Sequence, residues 1–134
     1  MTTADKLHDL PLTETDTNRL EMPVEIDDLV SVSQVLSEWG YLAAITGLDH
    51  GDRLEVLYHI CHGPDVITLR VSLDPQAPTV DSLHPVFPQA GTYERELMEM
   101  FGVEVRGTPD RSRLLLPDDW PADEYPLRKE ASDD

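Results

Sequence analysis

The sequence has one cysteine, Cys61, so no internal disulfide can form, and a chain of this size without a disulfide framework suits a reducing, cytoplasmic setting. Basic residues are scarce. Ten Lys and Arg stand against 27 Asp and Glu, a formal charge of −17, which argues against nucleic acid as a partner because phosphate binding relies on Lys and Arg clusters. Nowhere does an apolar run approach the roughly 20 residues of a membrane helix. The start, MTTADKLHDLPLTETD, lacks a basic n-region, so neither a signal peptide nor a membrane anchor is expected, and any membrane link would run through partners. Glycine-rich phosphate loops, GxSxG elbows and HExxH pairs are also missing. The common motif-borne enzyme classes therefore have no support, and catalysis by this chain alone is not expected.

What is present fits one small domain, since 134 residues is within the usual single-domain range. Residues 1–24 are polar, carry Pro11 and Pro23 and show no sustained hydrophobic period, which predicts a loosely held arm. Ile26, Leu29, Val30 and Leu36 approximate helical spacing over Glu25–Trp39, with acidic residues in the first turn and Gly40 as the expected C-cap. Tyr41–Leu48 is dense enough for a buried strand, and Asp49, His50, Gly51 and Asp52 supply a turn. Two alternating runs follow. Leu54, Val56, Tyr58 and Ile60 share one face, as do Ile67, Leu69, Val71 and Leu73. The proline-rich stretch after them leaves room only for a short strand near Thr79–Leu83. Thr92 is the expected N-cap of a helix whose Tyr93, Leu97, Met100 and Phe101 follow i, i+4, i+7, i+8, closed by Gly102 in a left-handed cap. Val103–Arg106 reads as a last short strand. The fold expected is α+β: a mostly antiparallel or mixed sheet of about four strands covered by helices, over residues 25–113, then an extended tail over 114–134.

Three constellations bear on chemistry. Glu94, Glu96 and Glu99 invite an acid/base reading, but 94 and 96 point to nearly opposite sides of a helix, so solvated or salt-bridged carboxylates are expected, with Arg95 and Arg106 as partners. His59, Cys61 and His62 have the right types for a metal, yet alternation on a strand turns the third away from the first two and no further ligand pair exists, so structural roles are expected. The tail interleaves Leu114, Leu115, Leu116, Trp120, Tyr125 and Leu127 with prolines and with Arg111, Arg113, Arg128 and Lys129. Either it folds back over its own sheet, or it straps onto a neighbouring subunit, for which Trp, Tyr and Arg are typical anchors. The acidity of the whole chain has two readings, solubility, which is the expected one, and steering toward a basic partner surface, which is the functional alternative.

TYERELMEMFGVEVRG followed by TPDRSRLLLPDDWPADEYPLRKE resembles the signature of the 30 kDa subunit family of respiratory complex I. Glu94, Arg95, Glu96, Glu99, Met100, Phe101 and Gly102 match its first part, Pro109, Asp110 and Arg113 its middle, and Pro126, Leu127, Arg128 and Lys129 its end. Upstream, GYLAAITGLDHGDRLEVLYHI, VITLRVSLD and TVDSLHPVFPQA look like the family's run of strands. Thr108 stands where the signature has histidine, Ser112 where a basic residue is usual and Glu99 where aspartate is common. The end DDWPADEYPLRK looks more like members from energy-converting, membrane-bound nickel–iron hydrogenases.

The resemblance implies an α+β domain without a redox centre, placed peripherally on the cytoplasmic side of the membrane. Its tail would lie along a large subunit of the 49 kDa or hydrogenase-large type. Iron–sulfur clusters and a quinone or nickel–iron centre would belong to that subunit and to a small iron–sulfur subunit. The residues it implies at the subunit interface are Glu94, Arg95, Glu96, Glu99, Phe101, Gly102, Pro109, Asp110, Arg113, Trp120, Pro126, Leu127, Arg128 and Lys129. Two other readings remain in view: a free-standing acidic binding module using the same tail, and a small metalloenzyme built on His59, Cys61 and His62.

Overall fold

In a computed structural model the described residues are 10–112, 115, 119, 121 and 124–128. In chain order they form β1 (Thr13–Asp16), β2 (Arg19–Pro23), a 3-10 turn (Ile26–Asp28), α1 (Leu29–Ser37), β3 (Tyr41–Asp49), β4 (Leu54–His62), β5 (Asp65–Leu73), β6 (Thr79–Asp81), α2 (Ala90–Phe101) and β7 (Glu104–Arg106). Five strands make one mixed sheet in the order β1-β2-β5-β4-β3, in which only β2 and β5 run parallel; β6 and β7 form a separate parallel pair. This is the expected α+β architecture, with one strand more in the main sheet than the sequence suggested.

Two strands of the main sheet, β1 and β2, come from residues 13–23 and correct, for those residues, the reading of 1–24 as a loose arm. The short strands expected near residues 79–83 and 103–106 pair with each other outside the main sheet. β2 pairs along β5, Leu20 opposite Ile67 and Met22 opposite Leu69, and Met22 and Val24 are buried. Leu20, Met22 and Val24 alternate, but three positions make too short a period to stand out, and the partner strand lies far along the chain.

The long strands follow their period. Leu54, Val56, Tyr58 and Ile60 from β4 and Ile67, Leu69, Val71 and Leu73 from β5 turn into one core with Leu29, Leu36, Leu97 and Phe101. Each such aliphatic side chain contributes about 1.5–3 kcal/mol when fully buried. The turn expected after β3 is formed by the His50 N–H donating to the Arg53 carbonyl at 2.9 Å and the Gly51 N–H to Asp49 at 2.8 Å.

Both helix starts differ from expectation. α1 begins only at Leu29, after the 3-10 turn, and its C-cap is Glu38 in a right-handed conformation, not Gly40. α2 begins at Ala90, so Thr92 lies within its first turn instead of capping it. The chain is already winding there: Val86 and Phe87 donate to the Leu83 carbonyl and Ala90 to that of Phe87. A preceding turn thus satisfies one of the orphan donors of the helix start, the Ala90 N–H, without a side-chain cap.

The second face of the sheet is polar. The His59 ring sits between two threonine hydroxyls, 3.1 Å from Thr46 and 3.0 Å from Thr68, and burial, with Arg19 nearby, lowers its pKa. Beside it Arg70 reaches Glu55 at 2.7 and 2.8 Å and Glu21 at 3.1 Å, while His50 stands 2.8 Å from Glu55. The Arg70 guanidinium, with a smaller contribution from His50, holds the Glu55 carboxyl down at about 2.

Candidate subunit interface

α2 and the last described residues form one block. At the helix end Gly102 adopts φ 71°, its N–H donating to the Met98 carbonyl at 3.0 Å. This left-handed cap needs glycine twice over, since a Cβ would also stand 2.6 Å from the Tyr125 ring. The chain then returns along the helix terminus. The Leu127 N–H donates to the Met100 carbonyl at 3.0 Å. Arg128 donates to the carbonyls of Phe101 at 3.0 Å and Pro75 at 2.9 Å, with Asp49 at 3.7 Å from its Nε. A cation at a helix C-terminus meets both unpaired carbonyls and the negative end of the macrodipole. Of the two tail readings, residues 115 and 125–128 follow the fold-back. Leu115 and Leu127 nevertheless leave their side chains 59% and 54% exposed.

The expectation of solvated or salt-bridged carboxylates fails for Glu94. Glu94 is only 1% exposed; its Oε1 accepts the Ser82 hydroxyl and its Oε2 the Leu83 N–H, both at 2.7 Å. Glu94, Leu97 and Phe101 are spaced i, i+3, i+7, so Glu94 faces the core and meets the polar turn at residues 82–84. Beneath it, burial, reinforced by Glu94 and Asp81, pushes the Tyr58 hydroxyl pKa up. Glu99 is also largely buried and accepts the Leu115 N–H at 2.8 Å. Glu96 alone faces solvent.

The expected cationic partners also go elsewhere. Arg95 donates to the Ser112 carbonyl at 3.0 Å and hydroxyl at 3.1 Å and lies 3.5 Å from Asp110. Arg106 pairs with Asp81 at 2.9 Å. Asp110 accepts the Ser112 hydroxyl at 2.6 Å and N–H at 2.8 Å. These bonds, ahead of Arg95, hold its carboxyl below the usual range. Ser112, where the signature usually has a basic residue, is therefore the bridge between Arg95 and Asp110.

Phe101 is buried against Gly47 of β3, where a Cβ would come within 2.5 Å of the ring. Pro109 and Pro126 are exposed. Thr108 is buried, and its hydroxyl finds no partner among the described residues. Arg113, Trp120 and Lys129 lie outside the described residues. His59, Cys61 and His62 do not converge: His59 is held by the two threonines, and His62 bonds the Trp39 carbonyl at 2.7 Å and stacks on its indole. Among the described residues no three His, Cys, Asp or Glu side chains are grouped to hold a metal ion.

Sequence reasoning missed Ser82, Asp49 and Pro75, the partners that fix Glu94 and Arg128. Nothing in their spacing flags them. Tyr125 stands out in the sequence only as one of the apolar residues of the tail, with nothing to direct it to the Gly102 cap.

The family described as "Respiratory-chain NADH dehydrogenase, 30 Kd subunit" matches residues 22–133. The chain belongs to that family. It is 37% identical over 114 residues to an NADH-quinone oxidoreductase subunit of Moorella thermoacetica, covering 80% of this chain and 76% of that one. Formate hydrogenlyase subunit 5 of Escherichia coli is 48% identical over 67 residues, half of this chain but only 12% of that protein. A chain in the structure of the membrane-bound sulfane sulfur reductase, an archaeal respiratory membrane complex, superposes with a TM-score of 0.80 at 22% identity, covering 94% of this chain and 79% of that one. For this 30 kDa-family chain, the ERE segment is thus the middle of α2, and the PLR segment closes over the end of the same helix. Among the described residues no helix is long and apolar enough to cross a membrane.

Proposed function

We propose that this chain is a peripheral subunit of a complex-I-like, membrane-associated oxidoreductase of NADH:quinone or hydrogenase type. It braces the large catalytic subunit from the cytoplasmic side and carries no redox group of its own. The observation behind this reading is the family match across residues 22–133, which takes in the whole ERE-to-PLRK span.

The fold refines which residues would make the contact. Glu94, Glu99, Phe101 and Gly102 build the block from inside, as does the backbone of residues 125–128. The outward side of the same block presents Glu96, Pro109, Asp110, Leu115 and Leu127. On this reading the large subunit packs on these exposed groups, and Arg113, Trp120 and Lys129, which the resemblance also implies, contribute to the same contact. Leu115 and Leu127, exposed yet attached to a backbone already pinned to α2, act as anchors whose ordering cost is largely met before binding.

The test is purification of the tagged chain from its native membranes. Co-migration with a large oxidoreductase subunit is expected, and nickel in that subunit would assign the hydrogenase type. A chain that migrates alone sinks the proposal. Leu127→Asp should remove the large subunit from the purified material while leaving the thermal unfolding of the isolated chain within a degree or two of the parent, because the side chain is exposed.

A further inference from the structure

The described residues leave four large apolar side chains exposed, Tyr41, Leu48, Leu115 and Leu127. Two belong to the block just described. The other two stand near opposite ends of β3, which is an outer strand of the sheet. Alternate residues of an outer strand direct N–H and C=O groups away from the sheet. Among the described residues the only bond to the β3 backbone from outside the sheet is from the Gln89 amide to the Leu42 carbonyl, at 3.2 Å.

Sheets commonly protect such an edge with charge, proline or brevity. β3 has none of these. It is nine residues long, YLAAITGLD, and carries no charged side chain before Asp49, in a chain with 28% charged residues. Its one irregularity, a bulge between Leu42 and Ala44, leaves the run from Ala44 to Leu48 regular.

We infer that β3 is the seat of an added strand: an extended, basic segment of a partner protein pairs with Tyr41–Leu48 and continues the sheet. Main-chain bonds would supply the attachment, and Tyr41 and Leu48 would supply apolar contacts at alternate positions on the open face. Charge selects the occupant. Arg53, Arg70, Arg95, Arg106, Arg111 and Arg128 each already pair with a carboxylate of this chain. Among the described residues few cations are therefore left uncommitted, against a net charge of −17 for the chain. That field repels a second copy of the chain and attracts a basic segment. The inference rests on the proposed membership of a complex for the source of the partner, and on the fold alone for the place of attachment.

The experiment compares amide hydrogen exchange in the full-length chain alone and in the complex purified through its tag. Alternate amides across residues 41–48 should slow at least about tenfold in the complex, the others in β3 being slow already. Leu48→Lys should reduce recovery of the partner about tenfold without shifting the chain's own melting, because a charge on an exposed edge position opposes pairing but not folding. A complex that forms while β3 exchanges as in the isolated chain overturns this inference and leaves the subunit reading intact. Slowing that appears in the isolated chain and grows with its concentration assigns the edge to a second copy and overturns the basic partner. A chain that leaves the membrane alone with β3 exchanging rapidly sinks both readings.

Discussion

Glu55 on the polar face of the sheet and Glu94 under the signature helix are buried to nearly the same degree, 5% and 1% exposed, yet they are satisfied by different chemistry. Glu55 is gripped by Arg70 and approached by His50. Glu94 takes a hydroxyl and a backbone N–H, both uncharged. The sheet face is thus held by charges that water and protons can reach. Under α2, Glu94 is held by two neutral donors, the Ser82 hydroxyl and the Leu83 N–H. The contrast is therefore between two buried carboxylates, one held by ion pairs and answering to pH, the other by neutral donors, although the rim of the block carries ion pairs of its own at Arg95 and Arg128.

The sharpest way to break this contrast is to remove Glu94. Glu94→Ala strands the Ser82 hydroxyl and the Leu83 N–H in the interior and leaves a cavity. The expected loss is about 3–5 kcal/mol in urea unfolding of the isolated chain, from unsatisfied groups that cost about 1–3 kcal/mol each plus lost packing. Glu94→Gln keeps an acceptor for one of the two donors and should lose about half as much. If both variants unfold with the parent, Glu94 is not the keystone of the block.

The next test is acid. The folded Glu55 carboxyl lies at about 2, against an ordinary 4.5. A depressed carboxyl contributes its full stabilisation above the unfolded value and loses it as pH falls through the folded one. Stability should therefore decline from about pH 4.5 down to about pH 2, by an amount on the order of 2–3 kcal/mol attributable to this residue. Glu55→Gln should flatten that part of the stability–pH profile while being less stable than the parent at neutral pH, since it leaves Arg70 without its main partner. An unchanged slope in the variant would show that other carboxylates carry the acid response.

The two regions were unequally legible in the sequence, and the reason is the range of the interactions. β4 and β5 announce themselves because Leu54 to Ile60 and Ile67 to Leu73 alternate over many positions, and the cap at Gly102 because glycine after an amphipathic helix has one common use. β2 stayed hidden because its order comes from β5, reached only after α1 and a hairpin have intervened. Glu94 read as a surface acid because the donors that bury it lie across a proline-rich connection, at Ser82 and Leu83. The signature residues could be matched position by position. Which of them turn inward depends on contacts that no local period encodes.

The smallest effect expected comes from the joint between α2 and the returning chain, and it asks whether the block is held by fit as well as by hydrogen bonds. Gly102→Ala places an L-residue at φ 71° and drives its Cβ into the Tyr125 ring. The left-handed conformation alone costs an alanine roughly 1–2 kcal/mol, so the full loss in thermal unfolding should slightly exceed the cost of that strain. In a Tyr125→Ala background the ring is gone and only the strain remains. The two substitutions should therefore be less than additive, with a coupling of at least about 0.5 kcal/mol, as for residues in contact. Simple additivity would mean that Tyr125 does not rest on the cap. The returning chain would then be fastened by the Leu127 and Arg128 hydrogen bonds alone, and the α2 block would resemble the sheet face in depending on polar contacts near its surface.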